Sequence, residues 1–255
     1  MKHQSRSSWE AWFSRRQAGS RPIHVYANML EHARERLGRL AGRRILEVGC
    51  GRAATLVEFA RAGARAVGVD YAGGALEIGR RLRGAAGPEA SGGSIELVQG
   101  DAMELPFEPR SFDLVYSAGV LEHFREPERV LQEQHRVLKP GGWLIVQVPQ
   151  KYTLYTVIKQ ALIGVGRWPY GGWETQYSAG ELERLVESGG FEARRLYGYG
   201  SFFLVLARHF LMPSLGFDRR RGFWRKHRAL EWIRARTAVE VGVVAAKRLG
   251  RGAGA

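Results

Sequence analysis

Short apolar runs alternate with amphipathic segments along the chain from residue 43 onward. Runs of this kind predict buried strands, and segments with apolar residues three and four positions apart predict helices. Strands that alternate with helices are typical of a parallel sheet wrapped by helices, so the pattern predicts an α/β, Rossmann-like fold with a seven-stranded, mostly parallel sheet and helices on both faces. The predicted strands are RILEV (44–48), RAVGV (65–69), IELVQ (95–99), FDLVYS (112–117), WLIVQV (143–148), FEARRLYGYG (191–200) and VEVGVVAAKR (239–248).

Two segments interrupt this alternation and define the predicted domain organisation. The length of 255 residues suits one domain with elaborations. Residues 1–42 are predicted to form an N-terminal helical, basic extension, and residues 43–255 the main domain, with insertions at about 151–177 and 199–238. The first insertion is expected to be irregular and is rich in aromatic residues: Tyr152, Tyr155, Trp168, Tyr170, Trp173 and Tyr177.

The positive charge lies at the two ends of the chain. The net charge is +14, of which residues 1–44 carry +7 and residues 205–255 carry +9, while the centre carries −2. Arginine-rich composition and solubility explain this as well as an anionic partner does. The N-terminus lacks the apolar segment of a secretory signal, and no apolar run reaches the ~20 residues of a membrane span. We therefore expect a cytoplasmic protein.

The turn after the first predicted strand is the main chemical signal. Its sequence, GCGRAA (49–54), fits the pattern G-x-G-x-x-G/A, in which Gly49 and Gly51 let the backbone turn sharply and approach a ligand. Asp70 ends the next strand, where a carboxylate can accept hydrogen bonds from both ribose hydroxyls. These residues suit NAD and other adenosine-bearing cofactors equally.

Two acidic positions separate these cofactors. Asp101 follows the third strand, where its carboxylate can bind an adenine amino group, with Ala102 and Met103 beside the ring. Glu47 lies on the first strand, just before the glycine turn. A buried acid there suits a ligand with an ammonium and a sulfonium group, whereas it would repel a pyrophosphate.

Six segments in order resemble the class I S-adenosylmethionine-dependent methyltransferases, in particular the branch typified by quinone-biosynthesis and other small-molecule enzymes. The segments are ILEVGCGRA, VGVD, QGDAMELPF, FDLVYSAGVLEHF, RVLKPGGWLIV and YSAGELERLVESGGF, which together span roughly residues 43–192. The resemblance implies S-adenosyl-L-methionine as cofactor and an antiparallel final strand. The family often has a third glycine where this chain has Ala53, which implies a slightly different packing of the loop.

The resemblance also assigns the cofactor contacts. It implies that Glu47, Gly49 and the backbone near Ser117 hold the methionine end, that Asp70 holds the ribose, and that the adenine lies between Tyr71 and Met103. Asp101 or Ala102 would then lie at the edge of the adenine.

The acceptor side carries weaker signals. His123, in LEHF, follows the fourth strand and is a candidate general base, although a structural role fits the motif equally. Its neighbour Glu122 is interpreted as solvated or structural. Tyr152 and Tyr177 are candidate acceptor-binding residues, because a loop at this edge can form a lid over the site. No metal site is predicted.

The predicted function is methyl transfer to a small, partly apolar or lipid-linked acceptor. A nicotinamide oxidoreductase, a non-catalytic cofactor-binding scaffold and an RNA methyltransferase are the alternatives. Nucleic acid is less favoured, because the fourth strand lacks the Asn/Asp/Ser-Pro-Pro-aromatic tetrapeptide of amino-group methylation and no RNA-binding module is recognisable. Residues 202–228 interleave bulky apolar residues with Arg and Lys, which predicts contact with an anionic membrane unless the apolar residues pack on the sheet.

Overall fold

A computed structural model describes residues 27–85, 92–165, 174–199 and 238–248. Elements are numbered within these ranges. The helices are α1 (Ala27–Leu37), α2 (Ala54–Arg61), α3 (Gly73–Ala85), α4 (Pro127–Val137), α5 (Leu154–Gly164) and α6 (Ala179–Ser188), with a 3₁₀ helix at Leu121–His123. The strands are β1 (Arg44–Val48), β2 (Arg65–Asp70), β3 (Ser94–Gln99), β4 (Phe112–Ala118), β5 (Leu138–Pro149), β6 (Phe191–Tyr199) and β7 (Glu240–Lys247).

The seven strands form one sheet in the order β3-β2-β1-β4-β5-β7-β6. Strands β1 to β5 are parallel to their neighbours, while β7 is antiparallel to both β5 and β6. The predicted seven-stranded, mostly parallel α/β fold with an antiparallel final strand is confirmed. The final strand does not lie at an edge, because β7 is inserted between β5 and β6.

Side chains alternate between two apolar cores, one on each face of the sheet. Along β1, Leu46 and Val48 face a core that includes residues of α4 and α6, such as Leu131 and Leu182. Ile45 faces the opposite core, which α1, α2 and α3 cover through residues that include Met29, Phe59 and Leu76. Helices therefore pack on both faces, and α1, from the predicted N-terminal extension, is part of the same fold.

Two local features differ from the sequence-based expectation. The fifth strand, predicted at 143–148, begins earlier, so KPGG (139–142) belongs to β5. The register along β4 passes from Phe112 opposite Leu138 to Leu114 opposite Trp143, which marks a bulge. The first insertion is not irregular throughout, since it contains the helix α5. This helix begins after Thr153, whose Oγ1 accepts a hydrogen bond from the backbone N–H of Thr156 at 3.1 Å, as an N-cap residue does.

Several predicted features lie outside the described residues. These are residues 1–26, the aromatic residues Trp168, Tyr170 and Trp173, and almost all of the second insertion, including residues 202–228. Among the helices of the described ranges, none combines the length and the apolar character that crossing a membrane requires.

Candidate active site

The glycine turn connects β1 to α2 at the carboxyl end of the sheet. Gly49 has a φ of 70° and Gly51 a φ of 50°, a region that favours glycine. A Cβ atom on Gly49 would lie 2.4 Å from Cγ2 of Val120, so only glycine fits. Ala53 has a φ of 59°, which explains why a glycine suits this position in related loops.

Asp70 holds this turn to the end of β2. One of its carboxylate oxygens accepts a hydrogen bond from the backbone N–H of Gly51 at 2.7 Å, and the other accepts one from that of Ala72 at 2.9 Å. Each carboxylate oxygen can accept a second hydrogen bond, so the group can bind a diol while it holds the loop. The backbone therefore fixes the position of this carboxylate.

The loop after β3 lies against the same edge. The backbone N–H of Gly100 donates to the carbonyl of Asp70 at 3.1 Å, and the carboxylate of Asp101 accepts a hydrogen bond from the N–H of Met103 at 2.8 Å. Met103 is buried in the core, whereas Tyr71 and Ala102 are half-buried. The structure thus brings the residues predicted around an adenine into two adjacent loops.

Glu47 is an acid buried at the end of β1, just before the glycine turn. It is 6% exposed, and its Oε2 atom has no hydrogen-bond partner. Burial raises the pKa of this carboxyl to about 8, and the charge of Asp70 adds to the shift. Tyr116, its Cα partner on β4, lies beside it and lowers the pKa in part, although its hydroxyl falls short of a full hydrogen bond.

The edge beyond β4 holds His123, Glu122 and Ser117. Ser117 is buried on β4, where it lies opposite Val48 of β1 in the strand register. His123 ends the 3₁₀ helix, and its Nε2 atom lies 3.9 Å from Oε1 of Glu122. Glu122 is 2% exposed, so the expectation of a solvated side chain is wrong. The helix turns Glu122 inward, toward residues that the sequence places far away.

Tyr152 and Tyr177 lie at the two ends of the first insertion, and these ends meet. The backbone N–H of Lys151 donates to the carbonyl of Tyr177 at 2.9 Å. Tyr152 is 77% exposed and has a φ of 65°, whereas Tyr177 is buried in the core against α6. The two candidates therefore occupy different environments.

Comparison with known proteins places these features in a family. Residues 46–146 match the model of a family described as a methyltransferase domain. A demethylmenaquinone methyltransferase from Clavibacter sepedonicus is 38% identical over 107 residues, which cover 42% of this chain and 41% of the relative. One from Staphylococcus aureus is 33% identical over 184 residues, which cover 68% of this chain and 73% of the relative. The chain belongs to the class I S-adenosylmethionine-dependent methyltransferases.

Solved structures confirm the fold of this methyltransferase. The magnesium protoporphyrin IX methyltransferase of Synechocystis, solved with bound S-adenosylhomocysteine, has a TM-score of 0.64 at 15% identity, covering 95% of this chain and 98% of that one. A methyltransferase from Mesorhizobium loti has a TM-score of 0.56 at 20% identity, covering 85% and 96%. The alignment with the Clavibacter relative spans less than half of that protein's length.

The family assignment confirms S-adenosylmethionine as the cofactor, and the residues present fit it. The unpartnered carboxylate oxygen of Glu47 suits a cationic ligand, and each carboxylate oxygen of Asp70 can accept a second hydrogen bond, as a ribose diol would donate. Within the described ranges no three His, Cys, Asp or Glu side chains come close enough to hold a metal ion.

The structure also adds residues that the sequence reasoning missed. Lys159, on α5, is buried and forms an ion pair with Glu174. Gln147, on β5, donates a hydrogen bond to Glu240, the first residue of β7. We call the loops after β1, β2 and β3 the cofactor side, and the residues after β4 and β5 together with the start of β7 the acceptor side. Lys159, Gln147 and Glu240 reach the acceptor side through the pairing of distant segments, so no local signal marks these three residues.

Proposed function

We propose that this methyltransferase transfers a methyl group from S-adenosylmethionine to a small, partly apolar acceptor of the quinone type, which a lipid tail can anchor. The observation that carries the proposal is the 33% identity to a demethylmenaquinone methyltransferase over 68% of the chain. The match to the methyltransferase-domain model, residues 46–146, includes the glycine turn and the ends of the first strands, where the geometry suits an adenosine-bearing cation.

On the cofactor side, Glu47 and Gly49 hold the methionine end, together with the backbone near Ser117. Asp70 and Gly51 hold the ribose, and the loop residues Tyr71, Asp101, Ala102 and Met103 hold the adenine. The cofactor supplies an electrophilic methyl group on a positively charged sulfur. The protein's part is to align the acceptor with this methyl group and to exclude water.

On the acceptor side, Tyr152, Tyr177 and His123 border the place that the acceptor occupies. Tyr177 forms a buried wall, because it packs into the core, and Tyr152 contributes an exposed ring at the mouth of the site. His123 is half-buried beside them and can accept a proton from an acceptor hydroxyl.

Helix α5 supports a lipid-linked acceptor and a peripheral contact with an anionic membrane. Its buried residues include the polar Thr156 and Lys159, whereas Val157, on the outer face, is 60% exposed, and Val165, just past the helix, is 68% exposed. Apolar residues on an outer face suit the boundary of a lipid layer, where basic residues meet the headgroups. Lys151 and the basic ends of the chain supply such residues.

Two measurements test this function. Calorimetry should detect binding of S-adenosylhomocysteine in the micromolar range and no binding of NAD. Radiolabelled S-adenosylmethionine should then label reduced naphthoquinones but not RNA. Cofactor binding without transfer to any naphthoquinone would contradict the proposal and favour the scaffold, whereas transfer to RNA alone would favour the RNA methyltransferase.

Liposome flotation tests the membrane contact separately. The chain should float with anionic vesicles at low salt and be released at high salt, because screening weakens the attraction of basic residues to headgroups. Vesicles of neutral lipid are the control. Equal flotation with both lipids, or none with either, would contradict the contact.

A further inference from the structure

Glu122 is a buried acid whose carboxyl lacks a donor on one oxygen. The side chain is 2% exposed, and its Oε2 atom is shielded from solvent without a hydrogen-bond partner. A carboxyl oxygen in this position is costly, because it gives up hydrogen bonds to water and gains none from the protein. The missing partner is a hydrogen-bond donor, since an ionised carboxylate only accepts.

Within the described part of the chain, the groups around Glu122 do not provide that donor. Glu174 is already paired with Lys159, and Glu240 accepts its hydrogen bond from Gln147. Burial raises the pKa of Glu122 well above its ordinary value, the charges of Glu174 and Glu240 raise it further, and Lys159 lowers it. Among the described residues, the carboxyl groups of Glu122, Glu174 and Glu240 thus share one buried cation, Lys159, and a ligand that donates a proton would complete the hydrogen bonding of Glu122.

Glu122 also lies close to the cofactor side. Its Oε1 atom is 3.5 Å from the place that a Cβ atom would take on Gly119, directly after β4. Val120, two residues before Glu122, contacts the glycine turn so closely that Gly49 tolerates no side chain. The carboxyl is therefore on the segment that meets the cofactor loop, and it faces the acceptor side.

We propose that Glu122 binds a hydroxyl of the methyl acceptor through Oε2 and takes its proton during transfer. This inference rests on the proposed function and assigns the proton acceptor to Glu122 in place of His123. The ring carbon beside the hydroxyl forms the new bond to the methyl carbon, with electrons moving in from the hydroxyl oxygen, and it then loses its own proton as that oxygen regains one. The bond from the methyl carbon to sulfur breaks with its electron pair staying on sulfur, and the hydroxyl proton moves to the Glu122 carboxylate.

The assignment has a consequence for the pH dependence of turnover. A base must be ionised to accept a proton, so turnover rises with pH through the raised pKa of Glu122. The groups that face it and modulate this rise are Glu174, Glu240, Lys159, His123 and Tyr177. A positive charge placed nearby lowers the pKa of Glu122, so a bound sulfonium favours the ionised form.

The variant Glu122→Gln tests the inference by turnover, since it keeps the shape and removes the ionisable group. We expect kcat to fall by about a hundredfold or more with reduced naphthoquinones, with the rise in the pH profile lost and affinity for S-adenosylhomocysteine unchanged. Glu128→Gln, at an exposed position of α4, is the matched control and should behave like the parent. If Glu122→Gln retains the parent's kcat and pH profile, the inference is wrong while the proposed function stands.

Carbon-13 NMR of labelled glutamate carboxyls gives a readout that needs no turnover. The signal absent from Glu122→Gln identifies Glu122, and it should titrate above the ordinary carboxyl range. In the protein loaded with S-adenosylhomocysteine, 1,4-dihydroxynaphthalene should shift this signal, whereas 1,4-naphthoquinone, which has no hydroxyl donor, should not. If neither probe shifts the Glu122 signal, the inference is wrong. Failure to bind S-adenosylhomocysteine at all would instead count against the proposed function.

Discussion

The cofactor side and the acceptor side are held together by different kinds of contact. On the cofactor side, backbone groups make most of the hydrogen bonds: those of Gly51, Ala72 and Met103 bind the carboxylates of Asp70 and Asp101. On the acceptor side, backbone bonds such as that from Lys151 to Tyr177 are joined by side chains that bind side chains distant in sequence, as in the pairs Lys159–Glu174 and Gln147–Glu240.

This difference separates two requirements of a methyltransferase. Backbone contacts change little when side chains are substituted, so the cofactor side can stay constant while the rest varies. Side-chain pairs can be replaced one at a time, which lets the acceptor side change its substrate without loss of the cofactor. The arrangement is consistent with the general rule that functional groups vary on loops held by a rigid scaffold.

Substitutions of Tyr177 and Tyr152, both on the acceptor side, should differ most in their effect on the free energy of unfolding. Tyr177→Ala should reduce the free energy of unfolding by about 3–5 kcal/mol, because it removes a buried aromatic ring. Tyr152→Ala should change it by less than about 0.5 kcal/mol, since the ring is exposed, yet lower turnover. Urea denaturation with a parallel activity assay measures both. Equal loss of stability in the two variants would show that the exposed ring also packs.

On the cofactor side, Asp70→Ala tests how much the Asp70 carboxylate contributes to cofactor binding. We expect S-adenosylhomocysteine to bind about ten- to a hundredfold more weakly, which corresponds to roughly 1.5–3 kcal/mol for a charge-assisted hydrogen bond. The matched control is Asp113→Ala, at the opposite edge of the sheet, where Asp113 likewise accepts a backbone hydrogen bond, from Arg44 at 2.9 Å. Calorimetry on both variants checks this. If Asp70→Ala binds S-adenosylhomocysteine as tightly as the parent, the assignment of Asp70 to the ribose is wrong.

Glu47 departs from this description of the cofactor side, because no backbone group binds its Oε2 atom. In this it resembles Glu122 on the acceptor side, whose Oε2 atom also has no hydrogen-bond partner. The Glu47 pKa of about 8 in the folded protein lies above the ordinary carboxyl value of the unfolded chain. The folded state therefore holds a proton that the unfolded state has lost, and the free energy of unfolding should fall between about pH 5 and 8, by up to ~1.4 kcal/mol per pH unit.

Urea denaturation of the parent and of Glu47→Gln over this pH range measures that slope. The variant cannot ionise at this position, so its free energy of unfolding should fall less steeply with pH than that of the parent. Identical slopes in both proteins would mean that Glu47 titrates normally and is not buried as a neutral acid.

The sequence predicted the fold and the cofactor side because both depend on local patterns. Apolar runs mark β1 to β5, and glycines and acids at strand ends mark the cofactor loops. Helix α5 was missed because its buried face is polar, with Thr156 and Lys159 inward. Of the two interpretations of Glu122, solvated and structural, burial contradicts only the first, because distant segments that the short motif does not reveal enclose this acid. The roles of the individual site residues stay predictions.

The position of β7 determines when the acceptor side can exist. In the described part of the chain β6 pairs with β7 alone, and 40 residues, 200–239, separate the two strands in sequence. A growing chain emerges N-terminus first, and pairing over such distances is slow. The strands of the cofactor side are therefore available early, whereas Glu240 joins the sheet only with the last strand. A nascent chain gains a place for the methyl donor before it gains a complete place for the acceptor.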